Sequence, residues 1–273
     1  MAHPETPSPR RNEPRRRAMS DEAKGERRQT IVAAAAQLLD ELPYDQITVA
    51  TVAERLGLAK GTLYLYFPTK EGLFLALLED ELAAWFAALR ERLAVRRPER
   101  SSEKKPERSS EKKQDAAAPG LTPEQLADRI VDSLELYPRL PRLLTVLHSV
   151  LERNVPAPEV VAFKQQLRDE VGVTAALIEE RLSALRRGQG AVLLLRLHAL
   201  TIGAFQMTDV SAVVRAALDD ESAGLAVFDL TFGPFLRGTL RALITGMATG
   251  MATGMATGTA TAARRATARR RVP

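Results

Sequence analysis

Apolar residues recur along this chain at the three-and-four spacing of amphipathic helices, and no two-residue alternation persists long enough to suggest a strand. From Ser20, an N-cap followed by Asp21 and Glu22, the pattern predicts a helix to about Leu42, with Ile31, Ala35, Leu38 and Leu39 on its inner face. Thr48 then caps a short helix whose Val49, Val52, Ala53 and Leu56 share one side. Gly57 stops it in the manner of a left-handed cap, and Leu58 is placed to pack back against the corner. Ala59 to Tyr66 makes a second short helix, ended by Pro68, so this stretch reads as a helix-turn-helix corner. Thr69 caps a long helix to about Val95, with Leu77, Leu82, Trp85, Phe86 and Leu89 in a broad stripe in which the lone Trp85 reads as core. The pattern resumes at Thr122-Pro123-Glu124-Gln125, a capping box with Pro at the first helical position. Further helices follow at about 123–137, 140–153, 158–187, 190–208, 211–218 and 225–244, with Gly233-Pro234 as a kink in the last. The fold class is all-α.

Between these helical blocks the composition changes. Residues 1–19 combine Pro and Arg without apolar periodicity, which predicts a disordered basic arm. Residues 98–105 read PERSSEKK and residues 106–113 repeat them unchanged, and Pro recurring among charges disfavours a long helix. This reads as an inserted linker that arose by duplication. From Thr245 the motif TGMA repeats, and Gly at every fourth position argues against a helix in the tail. The expected divisions are an arm at 1–19, a helix-turn-helix unit at 20–68, a connecting helix at 69–95, a charged linker at 96–120, a second helical domain at 121–244 and a basic tail at 245–273.

Charge and composition narrow the chemistry. The formal net charge is +5, but the two ends carry more than that, so residues 29–244 are net acidic and overall basicity says little about the folded part. Cys is absent, which excludes disulfides and thiolate metal sites, and the His residues lack zinc-site spacing, so no metal or cofactor is expected. No nucleophile-elbow, phosphate-loop, dinucleotide or zinc-protease motif occurs, so no catalytic residue is named and the chain does not read as an enzyme. The apolar run after Arg27-Arg28 lacks a cleavage pattern, and that at Leu193 to Phe205 contains Arg196 and His198, so neither reads as a signal or a span. A cytoplasmic protein with no membrane partner is expected.

The second short helix carries the chemistry that remains. Lys60 and the hydroxyls of Tyr64 and Tyr66 can hold phosphates, Ala59 and Gly61 let a backbone come close to DNA, and Thr62 can reach a phosphate or a thymine methyl. The run T-V-x-x-V-A-x-x-L-G-L-A-K-G-T-L-Y-x-Y-F-x-x-K-E-x-L, from Thr48 to Leu73, resembles the DNA-binding domain of TetR-family transcriptional regulators, over roughly residues 25–93. The resemblance implies a three-helix DNA-binding unit whose third helix is the recognition helix, and a fourth helix leading to an all-helical domain that binds a ligand and dimerises. It implies DNA contacts from Thr48, Thr51, Lys60, Gly61, Thr62, Tyr64, Tyr66 and Lys70, with Leu63 and Phe67 as core. Ala59 departs from the Ser of many relatives. The alternative for the two Tyr is that they pack.

In the second domain, apolar stripes near 190–208 and 225–244 could form an intersubunit four-helix bundle or fill a monomer core. Tyr137, His148, Gln166 and His198 are candidates to line a ligand pocket, although a His in an apolar helix is commonly a satisfied core residue. The expected function is a homodimeric repressor, released from a near-palindromic double-stranded DNA operator by a small-molecule effector. The alternative is a constitutive, weakly selective DNA-binding protein whose second domain only dimerises.

Overall fold

The computed structural model describes residues 13–95 and 120–250, and those residues contain ten α-helices, several short 3-10 and π turns, and no strand. They group into two units: Met1–Asp80 with Val146–Val160, and Glu81–Thr145 with Val161–Pro273. The charged repeat and most of both tails lie outside the described residues.

The first unit begins with α1, Glu13–Glu41, which starts well ahead of the Ser20 cap read from the sequence. Pro14 falls in its first turn, where a missing N–H costs nothing, and the Arg, Ala and Met that follow are good helix formers. Residues 13–19 are therefore helix and not part of a disordered arm. Ile31, Ala35, Leu38 and Leu39 are buried as the periodicity requires. Against α1 lies α2, Val49–Arg55, and the Arg55 guanidinium donates to both Glu41 carboxylate oxygens at 3.0 and 2.6 Å. That donation holds the Glu41 carboxyl below its ordinary range. Helix α3 is Lys60–Tyr64, and α4, Lys70–Ala94, leaves this unit at Asp80. Residues 146–160, which the sequence reading put in the second domain, join the first unit: Glu159 lies 3.6 Å from the Cβ position of Gly72, and its charge acts on Glu79.

The second unit is held by polar contacts set in an apolar core. Trp85 is buried, and its indole N–H donates to Ser133 Oγ at 2.9 Å, Ser133 lying on α5, Pro123–Leu134. The Thr122 and Gln125 capping box at the start of α5 is present in both directions. Arg129 donates to the carbonyls of Arg92 and Val95 at 2.6 and 3.0 Å, satisfying acceptors that the end of α4 leaves without partners. Helix α6 is Arg139–Val146; the chain then turns through a π turn at Leu147–Leu151 in the first unit and enters α7, Ala157–Arg181. Helix α8 is Gln189–Thr208, and Glu179 Oε1 accepts from the amides of Gly188 and Gly190 at its start, 2.8 Å each. Gly190 is required by contact: a Cβ there would lie 2.5 Å from the Ala175 carbonyl oxygen.

After α9, Ala212–Leu218, the sequence reading fails in two ways. The segment at 225–231 is not helix but a 3-10 turn and loop, and Phe228 is exposed. The final helix α10 runs Phe232–Ala248, so Gly233-Pro234 is its first turn and not a kink. It also continues past residue 244 into the first TGMA motif, because Met247 is buried in the packing of α10 and that burial outweighs the helix-weakening Gly246. Helix α10 packs on α5 and α8. Arg237 reaches Asp132 at 2.8 Å and Asp128 at 3.3 Å, and Arg241 also meets Asp128. Burial would raise the Asp128 carboxyl, but the hydrogen bonds from Arg241 and Arg237 win and hold it low. By length and composition α8 is long and apolar enough to cross a membrane, where the sequence suggested too short and polar a run; about 33% of that stretch is buried, and the helix packs on α10.

Candidate nucleic-acid interface

Thr48 accepts from the Thr51 amide at 3.1 Å, and Thr51 Oγ1 accepts from the Thr48 amide at 3.0 Å while donating to the Thr48 carbonyl at 2.8 Å. Both hydroxyls are therefore held in place at the start of α2, on an exposed edge. At the other end Gly57 has φ +63°, the Gly57 amide bonds the Glu54 carbonyl at 3.0 Å and the Leu58 amide bonds the Ala53 carbonyl at 2.9 Å. This is a complete Schellman turn, and it sets the angle at which α3 leaves the corner. Only Gly takes that φ without strain.

Helix α3 is seated by Leu63 and Phe67, which are buried. That anchorage turns Lys60, Gly61 and Tyr64 to solvent, with Thr62 and Tyr66 half-buried. Lys60 Nζ lies 5.8 Å from the Tyr64 ring centre. Within the chain no hydrogen bond engages the Tyr64 hydroxyl among the described residues, and Tyr64 is 41% exposed. Leu65, which the sequence reading passed over, is 78% exposed beside it. Its place two residues beyond the buried Leu63, on the far side of the helix, was the available signal. Ala59 gives α3 no side-chain cap.

Lys70 stands apart from this set. Its ammonium donates to the Tyr44 carbonyl and lies 3.8 Å from the Tyr44 ring centre, where burial lowers its pKa. Tyr44 in turn meets Phe74 edge-on at 4.9 Å. The Lys70 side chain thus ties the turn at Tyr44–Gln46 to the start of α4. Arg28 likewise lies over the Phe67 ring at 4.9 Å, a packing contact within the first unit.

The pocket candidates are not brought together. His148 is exposed on the π turn, 3.1 Å from Glu152. Gln166 is exposed on α7, Tyr137 donates to the Ala84 carbonyl at 3.1 Å, and His198 is half-buried on α8. A cleft of about 460 Å³ in the second unit is lined by none of them. Its walls come from the ends of α5 and α8, from α9, from the loop before α10 and from the start of α10, including Glu135, Phe205, Asp209, Arg215, Asp229 and Phe232. Glu135, Asp209 and Phe232 escape periodicity because they lie at helix ends, where the repeat stops.

Comparison with known proteins bears on both units. Residues 31–77 match the family model described as bacterial regulatory proteins, tetR family, and residues 79–250 match that of the tetracyclin repressor-like C-terminal domain. The chain belongs to the TetR family. The fatty acid metabolism regulator protein of Bacillus subtilis is 33% identical over 61 residues, 22% of this chain and 31% of that protein. The nucleoid occlusion factor SlmA of a Marinomonas species is 39% identical over 56 residues, 20% of this chain and 28% of that one. The chain thus spans less than a third of either relative. A crystal structure assigned to the tetR family, from Shewanella sp. PV-4, aligns with 80% of this chain and 95% of its own at 18% identity and a TM-score of 0.42, a loose likeness. The corner of α2 and α3 lies within the N-terminal segment that matches the model for bacterial regulatory proteins.

Proposed function

We propose that this TetR-family regulator is a homodimeric repressor that holds a near-palindromic operator and releases it when a small molecule binds in the second unit. The observation that carries the dimer is a face of α8 left exposed among the described residues. Val192, Leu195, Ala199, Ile202 and Gln206 recur at three-and-four spacing, and Leu195 is 66% exposed while Val192 is 40% exposed. Beside it, α10 exposes Gly238, Ala242 and Thr245, small residues that allow a second helix pair to come close. Two such pairs related by a two-fold axis make a four-helix interface, and a two-fold dimer reads an inverted repeat.

Lys60, Tyr64 and Tyr66 would hold phosphates, Gly61 would admit the backbone, and Thr62 and Leu65 would meet base edges. Thr48 and Thr51, already fixed by their mutual bonds, would offer their outer sides to a phosphate. Lys70 is assigned to the fold in this reading, with any phosphate contact secondary. The cleft supports a ligand response, since its volume is that of a small-molecule site. A ligand shifts the equilibrium only by its differential affinity for the DNA-bound and free forms. The location that follows is the cytoplasm, where the DNA is, and no catalytic step is assigned.

Sedimentation of the full chain tests the dimer: a two-fold species is expected, and Leu195→Glu on the exposed α8 face should convert it to monomer with helicity retained. A parent chain that stays monomeric at operator-binding concentrations would overturn the dimer. The constitutive alternative predicts a broad binding profile on genomic DNA and no compound that releases it.

A further inference from the structure

The cleft of about 460 Å³ has a polarity that selects its ligand. Two helices end at its wall, α5 with Glu135 as its C-cap and α8 with Asp209 as its C-cap, so the negative poles of both adjoin the same space. Three carboxylates line it, from Glu135, Asp209 and Asp229, against the single guanidinium of Arg215. Arg215 is taken by Asp229 at 2.7 Å. Glu135 lies 3.7 Å from Arg237, and its carboxylate sits against Gly233, where it answers the positive pole at the start of α10. Asp209 has no ion-pair partner among the described residues. Phe205 and Phe232 supply the apolar part, ring centres 6.3 Å apart and nearly edge-on at 76°.

We propose that this cleft binds a small organic cation with a bulky apolar or aromatic body, its charge set against Asp209 and its body against Phe205 and Phe232. An anion would meet an uncompensated carboxylate and two helix C-termini. A neutral aromatic compound would gain the rings but leave the charge of Asp209 unanswered. The inference rests on reading the chain as ligand-regulated and adds the chemical class of the ligand.

Tetraphenylphosphonium and tetraphenylborate share a shape and differ in the sign of charge, so together they separate charge from apolar packing. Titrated by calorimetry into the full chain without DNA, the cation is expected to occupy one site per chain and the anion to bind at least about tenfold more weakly. Asp209→Asn, at an exposed position, should weaken the cation by about tenfold with the melting profile unchanged. Asp169→Asn makes the same charge change at an exposed site on α7 and should leave it unaffected. Equal affinity for the two ions, or cation binding indifferent to Asp209→Asn, would overturn the proposal. Operator release is measured separately: a cation that binds through Asp209 without releasing DNA keeps the site and removes the ligand-release reading, whereas release by neutral or anionic compounds with no cation binding does the reverse.

Discussion

Lys60 and Lys70 carry the same charge within ten positions of one another and do different things. Lys60 lies on the exposed face of α3 beside Tyr64, whereas the Lys70 ammonium is committed to the Tyr44 carbonyl and ring. Lys60→Ala together with Tyr64→Phe should therefore weaken binding to every DNA sequence and reduce the salt slope by about one unit per lost phosphate contact. Thr62→Ala should instead narrow the preference for cognate over altered sites, by about 1–3 kcal/mol per base pair read; an equal loss on all sequences would make Thr62 a phosphate ligand. Lys70→Ala is expected to lower stability by about 1 kcal/mol through the lost Tyr44 contacts, as read by chemical denaturation. If it left stability unchanged but weakened DNA binding, Lys70 would belong to the interface after all. Glu79 gives a residue-scale pH dependence: burial raises its carboxyl, with Arg28 opposing. A raised carboxyl contributes stability that is present below its ordinary range and lost as pH rises through its folded value. Glu79→Gln should therefore melt higher than the parent at neutral pH, with the advantage disappearing near about pH 4.

At the scale of the element, helix ends decide what could be seen in advance. Thr48, Gly57, Thr69, Thr122 and Gln125 announced their boundaries because each has a specific hydrogen-bonding or φ requirement, and the structure shows those bonds. Gly57→Ala meets no atom within 4 Å, so its cost should be the backbone strain alone, about 1–2 kcal/mol. Gly190→Ala should cost more, because its Cβ would strike the Ala175 carbonyl of α7 and the crossing with α8 would have to open. Thermal melts of the two variants rank them directly, and the reverse order would contradict both assignments. The elements misread from the sequence were those set by tertiary contact. Burial of Met247 carries α10 into a motif whose local propensity is poor, and residues 13–19, without apolar periodicity, are helix because Pro14 is tolerated in the first turn of α1. The cleft escaped for the same reason: Glu135, Asp209 and Phe232 meet only after α5, α8 and α10 have packed. A chain ending at residue 250 is accordingly expected to keep the parent's stability, and one ending at residue 244, which lacks Met247, to lose about 2 kcal/mol or more.

For the whole molecule, the proposed dimer would hold two recognition helices at a fixed separation, about one helical turn of DNA apart. The basic residues of 1–12 and 251–273 add charge without sequence information, so their removal should make the salt dependence shallower and leave operator discrimination equal or better. Deleting residues 98–113 removes a duplicated insertion, and closing a shorter connection changes the folding free energy little, so operator binding is expected to persist. The measurement that bears most directly on the central claim is selection of fragments of the source genome by the full chain, compared with selection by the Thr62→Ala and Lys60→Ala variants. The account predicts a narrow set of fragments sharing one inverted repeat, whose preferred bases relax with Thr62→Ala and whose overall recovery falls with Lys60→Ala. A broad profile without a shared repeat, unchanged by either substitution in α3, would contradict it.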